Sequence, residues 1–315
     1  MKKILVTGGA GFLGTNLCLR LLEEGHEVYI ADNFSTGKRE NIPNHKKCLW
    51  SFENVESELF SNLLEDYEPD EIYHLASPAS PPKYDKLWRE TIGANIDGTR
   101  RILEHSRRNI ETRILFSSTS EVFGDPDPSK IPISEEYYGN VNCFGNRSLY
   151  DESKRMGETL CFQYIKHYNA KVNIARINNT FGEWMDLEDG RVVTQFIQQA
   201  LKGDDFTVFG NGSQYRCFTY VDDMIDGLVK LMNSKIYSPV NLGSNYKFTI
   251  LELANLVKKI TKSESKISYC PIDKDDPKLR FPDLSKAKTL LDWEPKTPFD
   301  VAIRRMIKYV EIQMD

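Results

Sequence analysis

Seven residues near the start of the chain, Gly8-Gly9-Ala10-Gly11-Phe12-Leu13-Gly14, restrict its fold more than any other feature. They follow an apolar run, Lys3-Ile4-Leu5-Val6-Thr7, and open a helical pattern from Asn16 to Glu24 with Leu17, Leu21 and Leu22 on one side. Glycines at this spacing let the backbone turn sharply, approach a pyrophosphate and pack helix against strand. The helix N-terminus then faces the negative charge. A glycine pattern alone is weak evidence. This one lies between strand and helix, and Asp32 closes the next apolar run, Glu27-Val28-Tyr29-Ile30-Ala31. A carboxylate there binds ribose hydroxyls and repels the extra phosphate of NADP, so NAD is the expected cofactor. Lys38 and Arg39, slightly further on, argue the other way.

Gly25 stands where a helix C-terminus favours a left-handed residue. Further apolar runs, 71–76, 113–117 and 171–175, alternate with helical patterns. This order predicts an α/β fold, a Rossmann-type doubly wound parallel sheet with a smaller C-terminal α/β substrate-binding domain. The expected NAD-binding domain covers 1–177 with a returning segment near 213–242, and the nucleotide-sugar-binding domain covers 178–212 and 243–315. A chain of 315 residues is long enough for both. The net charge of -5 without a Lys/Arg block predicts no nucleic-acid partner. Six scattered cysteines, with no CxxC and no His at ligand spacing, predict reduced thiols and no metal. No apolar run reaches the roughly 18 residues that span a bilayer. Met1-Lys2-Lys3 leads straight into a strand, so the expectation is no membrane partner and a cytoplasmic location.

Tyr150 and Lys154 lie four apart at the start of a helical pattern that continues through Leu160, Tyr164 and Tyr168. That spacing puts both on one face. A free tyrosine, with a pKa of about 10, is a poor base at neutral pH. A neighbouring ammonium and an oxidised nicotinamide both favour phenolate, which can take a proton from a hydroxyl as hydride leaves its carbon. Such pairs also arise by chance on solvated helices. The glycine loop and the segment Phe116-Ser117-Ser118-Thr119-Ser120-Glu121-Val122-Phe123-Gly124, which ends the fifth strand with its polar groups toward the ligand crevice, favour chemistry.

The glycine loop, Asp32, the Ser/Thr cluster and Tyr150-Asp151-Glu152-Ser153-Lys154 resemble the extended short-chain dehydrogenase/reductase family. Within it they resemble the branch that decarboxylates UDP-glucuronate, through the run 74–84 with its Ser77-Pro78-Ala79-Ser80-Pro81-Pro82, the pair Ser120-Glu121, and the stretches 189–193, 212–216 and 280–283. The resemblance spans essentially the whole chain. It implies oxidation at C4 of the sugar, which places a ketone β to the C6 carboxylate. Loss of CO2, protonation at C5 and re-reduction by the same NADH then yield UDP-xylose. The resemblance makes Tyr150 the base, with Lys154 beside it and Thr119 on the same hydroxyl, and places Ser120, Glu121 and Arg280 at the carboxylate end. It assigns Gly8, Gly11, Phe12, Leu13, Gly14, Asp32, Asn33, Leu75, Ala76, Ser77, Tyr150 and Lys154 to the cofactor. Pro81, Tyr84, Asn179, Arg191, Gln214 and Arg216 are assigned to the UDP-sugar, and a homodimer is implied.

Rival activities differ at one pair. Dehydratases of this kind carry Asp-Glu after the Thr, and 4-epimerases lack the Glu. A hydroxyl at 120 can hydrogen-bond a substrate carboxylate that an Asp would repel. The reading therefore favours decarboxylation over a 4-epimerase or 4,6-dehydratase, and over a non-catalytic NAD-binding scaffold, which would not need Tyr150 and Lys154. Two departures bear on the site: Asn178-Asn179-Thr180 stands where the family has Phe-Asn-Thr, and Gly182-Glu183-Trp184-Met185 where it has Gly-Pro-Arg-Met. The gained Glu and missing Arg weaken any role of that loop in holding an anion.

Overall fold

The first strand, β1 (Lys3–Thr7), shows how the sequence sorts its side chains. Successive residues of a strand point to opposite faces. Ile4 and Val6 pack in one cluster with Leu17, Leu21, Met224 and Leu228, while Leu5 packs in another with Phe60, Ile102 and Cys161. Both faces are therefore covered, as a parallel sheet requires. The computed structural model describes residues 1–84, 86–271 and 281–314.

From β1 the chain passes through α1 (Phe12–Glu23) to β2 (Glu27–Asp32), then to β3 (Cys48–Phe52) and α2 (Glu58–Tyr67). It returns as β4 (Glu71–His74), followed by α3 (Trp88–Ile92), a π-helical turn at Gly93–Gly98, α4 (Thr99–Arg108) and β5 (Arg113–Thr119). The long α5 (Ser148–Tyr168) leads to β6 (Lys171–Ile177). A last strand, Pro239–Leu242, completes seven parallel strands in the order Pro239–Leu242, β6, β5, β4, β1, β2, β3. The chain winds outward from β1 to β3 and then resumes on the other side of β1 with β4. That reversal opens a crevice at the C-terminal ends of β1 and β4.

The remaining elements build on this edge. Helix α6 (Val192–Lys202), helix α7 (Val221–Met232) and helix α8 (Ile250–Thr261) accompany three short strand pairs. These pairs are Thr180–Phe181 with Thr219–Tyr220, Tyr215–Cys217 with Lys247–Thr249, and Phe206–Phe209 with Ile267–Cys270. At their centre Phe299 stacks on Phe218 and on Phe248, the latter 4.2 Å away between centroids, and Phe181 meets Phe218 and Phe299 edge-on. This cluster is continuous with the α1 and α7 side of the sheet. α7 packs on β5 and β6, so the segment before the last strand belongs to the sheet's own layer.

The sequence places α1, β4 and β5 correctly but not their ends. α1 starts four residues earlier than its apolar periodicity, because the glycine loop forms its first turn. β4 stops at His74, and Leu75 and Ala76 leave the sheet to meet the glycine loop. β5 runs two residues further, carrying Ser118 and Thr119 to the crevice. β3 gives no such signal. It is an edge strand exposing Leu49, Trp50 and Phe52, so neither an alternating nor a buried apolar pattern marks it. All six cysteines are free thiols.

Candidate active site

The glycine loop is shaped by close backbone approach. Gly8 has a φ of +70°, and a Cβ there would lie 2.8 Å from Ala76 Cα. A Cβ on Gly14 would lie 2.1 Å from the Gly8 carbonyl oxygen. Only hydrogen fits in either place. The loop thus brings the N-terminal turn of α1, with Phe12 and Leu13, to the crevice wall, where unpaired amides and the helix dipole favour an anion. The donor set and the space fit the pyrophosphate of a dinucleotide.

Asp32 ends β2 beside that turn. Its Oδ2 accepts from the Ala10 N–H (2.9 Å) and its Oδ1 from the Phe34 N–H (2.8 Å). Burial raises its pKa, and these two amides offset that rise only in part. The two nearby cations are committed elsewhere. Lys38 Nζ lies 3.2 Å from Asp186 Oδ1, and the Arg39 guanidinium stacks on Phe34 and Trp50 at 5.2 and 5.5 Å. Asp186 also binds Lys83 Nζ at 3.2 Å. One carboxylate therefore ties the loop after β2 and the proline loop to the segment that carries Asp186.

At the other end of the crevice Tyr150 and Lys154 occupy the first turns of α5, 6% and 2% exposed. Lys154 Nζ donates to the Ser117 carbonyl at 2.7 Å and sits 5.8 Å from the Tyr150 ring centroid. Burial lowers the lysine to about 7. Tyr150 is pushed up, first by burial and then by the Glu121 charge, with partial relief from the Thr119 hydroxyl and Arg191. Donation to Ser117 uses one of the three N–H bonds of the ammonium, so its charge still favours phenolate, against burial and the Glu121 charge. The positive charge of an oxidised nicotinamide would act in the same direction as the ammonium. Tyr84 stacks on Tyr150 with centroids 5.2 Å apart and planes 17° from parallel.

Thr119 Oγ1 accepts from the Glu121 N–H at 3.2 Å, which turns the chain after β5 so that Ser120 and Glu121 face the crevice. Every expected site residue within the described part lines one cavity of about 1180 Å³, including Asn33, Ser77, Pro81, Asn179, Gln214 and Arg216. That exceeds the range of about 300–1,000 Å³ that suits one small ligand, as cofactor and nucleotide sugar together require. Arg191 Nε pairs with Asp189 at 2.7 Å, and Gln214 Nε2 donates to the Phe209 carbonyl at 2.8 Å. Both therefore also hold loops in place. Arg280 lies outside the described residues.

The departures from the family pattern resolve physically. Asn178 Nδ2 donates to the Arg176 and Leu242 carbonyls, tying β6 to the last strand. Glu183 accepts from the Tyr220 hydroxyl and lies 3.4 Å from Arg305 Nε. Its charge is neutralised away from the cavity, which this loop lines instead through Trp184, Met185 and Asp186.

Sequence reasoning missed several wall residues. Glu53, Asn54 and Val55 follow the unread edge strand, beside Asp32. Arg147, one turn before Tyr150, binds Glu121 through Nη2 and lies 3.9 Å from Asp151 through Nε. Its place three residues before Tyr150 was the available signal.

The sequence profile of the NAD dependent epimerase/dehydratase family matches residues 4–243. UDP-glucuronic acid decarboxylase 1 of Danio rerio is 47% identical over 314 residues, covering 100% of this chain and 74% of that protein. UDP-glucuronic acid decarboxylase 4 of Arabidopsis thaliana is 44% identical, covering 97% of this chain and 68% of that protein. Among solved structures, the UDP-glucose 4-epimerase of Thermotoga maritima with UDP-glucose superposes with a TM-score of 0.93 at 28% identity, over 99% of this chain and 100% of that one. The UDP-glucuronic acid 4-epimerase of Bacillus cereus, in complex with UDP-glucuronic acid and NAD, gives 0.88 at 29% identity, over 99% of both chains. The chain belongs to the NAD-dependent epimerase/dehydratase family, and within it to the UDP-glucuronic acid decarboxylases.

Proposed function

We propose that this protein converts UDP-glucuronate to UDP-xylose and CO2, using one NAD through the whole cycle. The observation that carries this reading is the end of β5. There Thr119 reaches Tyr150, while Ser120 and Glu121 stand next along the same wall. When bound beside Tyr150, NAD would supply the hydride acceptor for oxidation at C4 and the donor for the final reduction. The side chains do the rest. Tyr150 takes the C4 hydroxyl proton, aided by the Thr119 hydroxyl. Lys154, held by the Ser117 carbonyl, lies under the Tyr150 ring. Ser120 offers a neutral donor to the C6 carboxylate, where a second acid would repel it.

At the cofactor end, the α1 N-terminus takes the pyrophosphate and Asp32 the ribose. Asn33, Leu75, Ala76 and Ser77 line the same end. Pro81, Tyr84, Asn179, Arg191, Gln214 and Arg216 serve the UDP-sugar, with Arg191 and Arg216 suited to the diphosphate. Arg280 assists at the carboxylate. Residues 1–177 with the returning segment near 213–242 form the NAD-binding domain, and 178–212 with 243–315 form the nucleotide-sugar-binding domain.

Incubation with UDP-glucuronate and NAD, followed by NMR, tests the reading: CO2 and UDP-xylose are expected. Turnover of UDP-glucose without CO2 would replace it with a 4-epimerase or 4,6-dehydratase. The protein works as a cytoplasmic homodimer joined through α5, whose Met156 and Phe162 are 44% and 56% exposed. Among the described residues no helix is long and apolar enough to cross a membrane.

A further inference from the structure

Arg147 occupies the N-cap position of α5 without making a side-chain cap. A cation there opposes the helix dipole, which favours negative charge at an N-terminus. Stability of the helix therefore does not explain the residue. Its Nη2 donates to Glu121 Oε2, and its Nε, buried and without a hydrogen-bond partner, lies 3.9 Å from Asp151 Oδ2. The pair is sheltered, with Arg147 24% and Glu121 16% exposed. Both residues line the cavity beside Ser120, Tyr84 and Tyr150.

Arg147 thus stands between two carboxylates, Glu121 on the cavity wall and Asp151 on α5, and the proposed substrate brings a further one to the sugar end. We propose that Arg147 is a positioning residue for Glu121: it fixes that carboxylate at the sugar end and balances its charge, so that an anionic sugar can bind beside Tyr150. A guanidinium suits this task because its planar donors set the direction of a carboxylate as well as its charge. The inference rests on the decarboxylase reading, since a neutral sugar would not need the balance.

A double-mutant cycle tests it, using Arg147→Met and Glu121→Gln in the full chain with NAD bound. CO2 release from UDP-glucuronate is read in single turnover and at steady state. If Arg147 acts through Glu121, Arg147→Met slows turnover about 30-fold or more in the Glu121 protein. In the Glu121→Gln background it slows turnover by less than about 3-fold, because coupled neighbours are non-additive. Arg147→Lys, which keeps the charge but loses the planar fork, should recover kcat only in part while largely restoring KM. Equal slowing in both backgrounds, or full activity in Arg147→Met, overturns the proposal. If the methionine variant does not fold, the cycle is run with Arg147→Lys: a loss of kcat confined to the Glu121 protein supports the proposal, and equal loss in both backgrounds overturns it. Failure of the decarboxylase reading shows separately, as a wild-type protein that releases no CO2.

Discussion

Replacing Gly14 by alanine tests the cofactor cradle most directly. The new Cβ would lie 2.1 Å from the Gly8 oxygen and 2.6 Å from Gly9 Cα, both backbone atoms that cannot swing away. Ordinary contacts begin at about 3.5 Å, so the loop and the first turn of α1 must separate by roughly 1.4 Å. Overpacking of this kind costs about 1–3 kcal/mol. With an unfolding entropy of about 2.1 cal/mol/K per residue, a chain of this length should lose about 2–5 °C in Tm. Cofactor binding should suffer more, because the displaced amides are those aimed at the pyrophosphate. Losing two charge-assisted hydrogen bonds, at about 1.5–3 kcal/mol each, weakens NAD by about 10²–10⁴-fold. Gly11→Ala is the control: its φ is -87°, and its Cβ would meet only the Gly8 oxygen, at 3.3 Å. Its apo Tm should stay within about 1 °C of wild type. Calorimetric titration with NAD and thermal unfolding without it supply both numbers. A Gly14→Ala protein that binds NAD like wild type, or one no less stable than Gly11→Ala, would refute the cradle argument.

Tyr150→Phe removes the proton acceptor while keeping the ring that stacks on Tyr84, so turnover should fall about 10²–10⁴-fold with NAD still bound. Wild-type rates in that variant would remove Tyr150 from the chemistry. Lys154 makes stability depend on pH. Its folded pKa, lowered to about 7, means the unfolded chain holds the extra proton between about 7 and the ordinary lysine value. The resulting penalty is full below pH 7 and disappears as pH rises toward 10. Lys154→Met should therefore gain most in apo Tm relative to wild type near pH 6 and least near pH 10; a pH-independent difference would contradict the buried charge. Asp186→Asn breaks the contacts to Lys38 and Lys83, each about 28–48% exposed on the lysine side, so the effect is small. NAD dissociation followed by stopped flow should quicken about 3–10-fold, and an unchanged rate would mean the tie does not retain the cofactor.

What the sequence discloses and what it hides follow from where each interaction is made. Tyr150 and Lys154 lie on one helix, and their spacing alone sets their relation. The glycine loop is legible because one short segment contains strand, turn and helix. Glu121 and Arg147 are 26 residues apart on different elements, so no local pattern joins them. Separation in sequence also hides the Lys38–Asp186 tie, and it reverses the meaning of Glu183. By itself that residue reads as a negative charge repelling an anionic ligand. In the fold, Arg305 from the helix Phe299–Met314 and the Tyr220 hydroxyl take its charge, and the cavity meets its neighbours instead. A similar limit explains Tyr150. Four-residue spacing predicts an ammonium beside a phenol, but it cannot show that the ammonium is already bonded to the Ser117 carbonyl on the neighbouring strand. Proton affinity in this cavity is set by groups from several elements: Glu121 after β5, Arg191 before α6 and Asp151 on α5 itself. Tuning of the tyrosine is thus a property of the assembled wall, and its substitution-sensitive positions extend beyond the Tyr-Lys pair to Arg147, which touches two of the carboxylates involved.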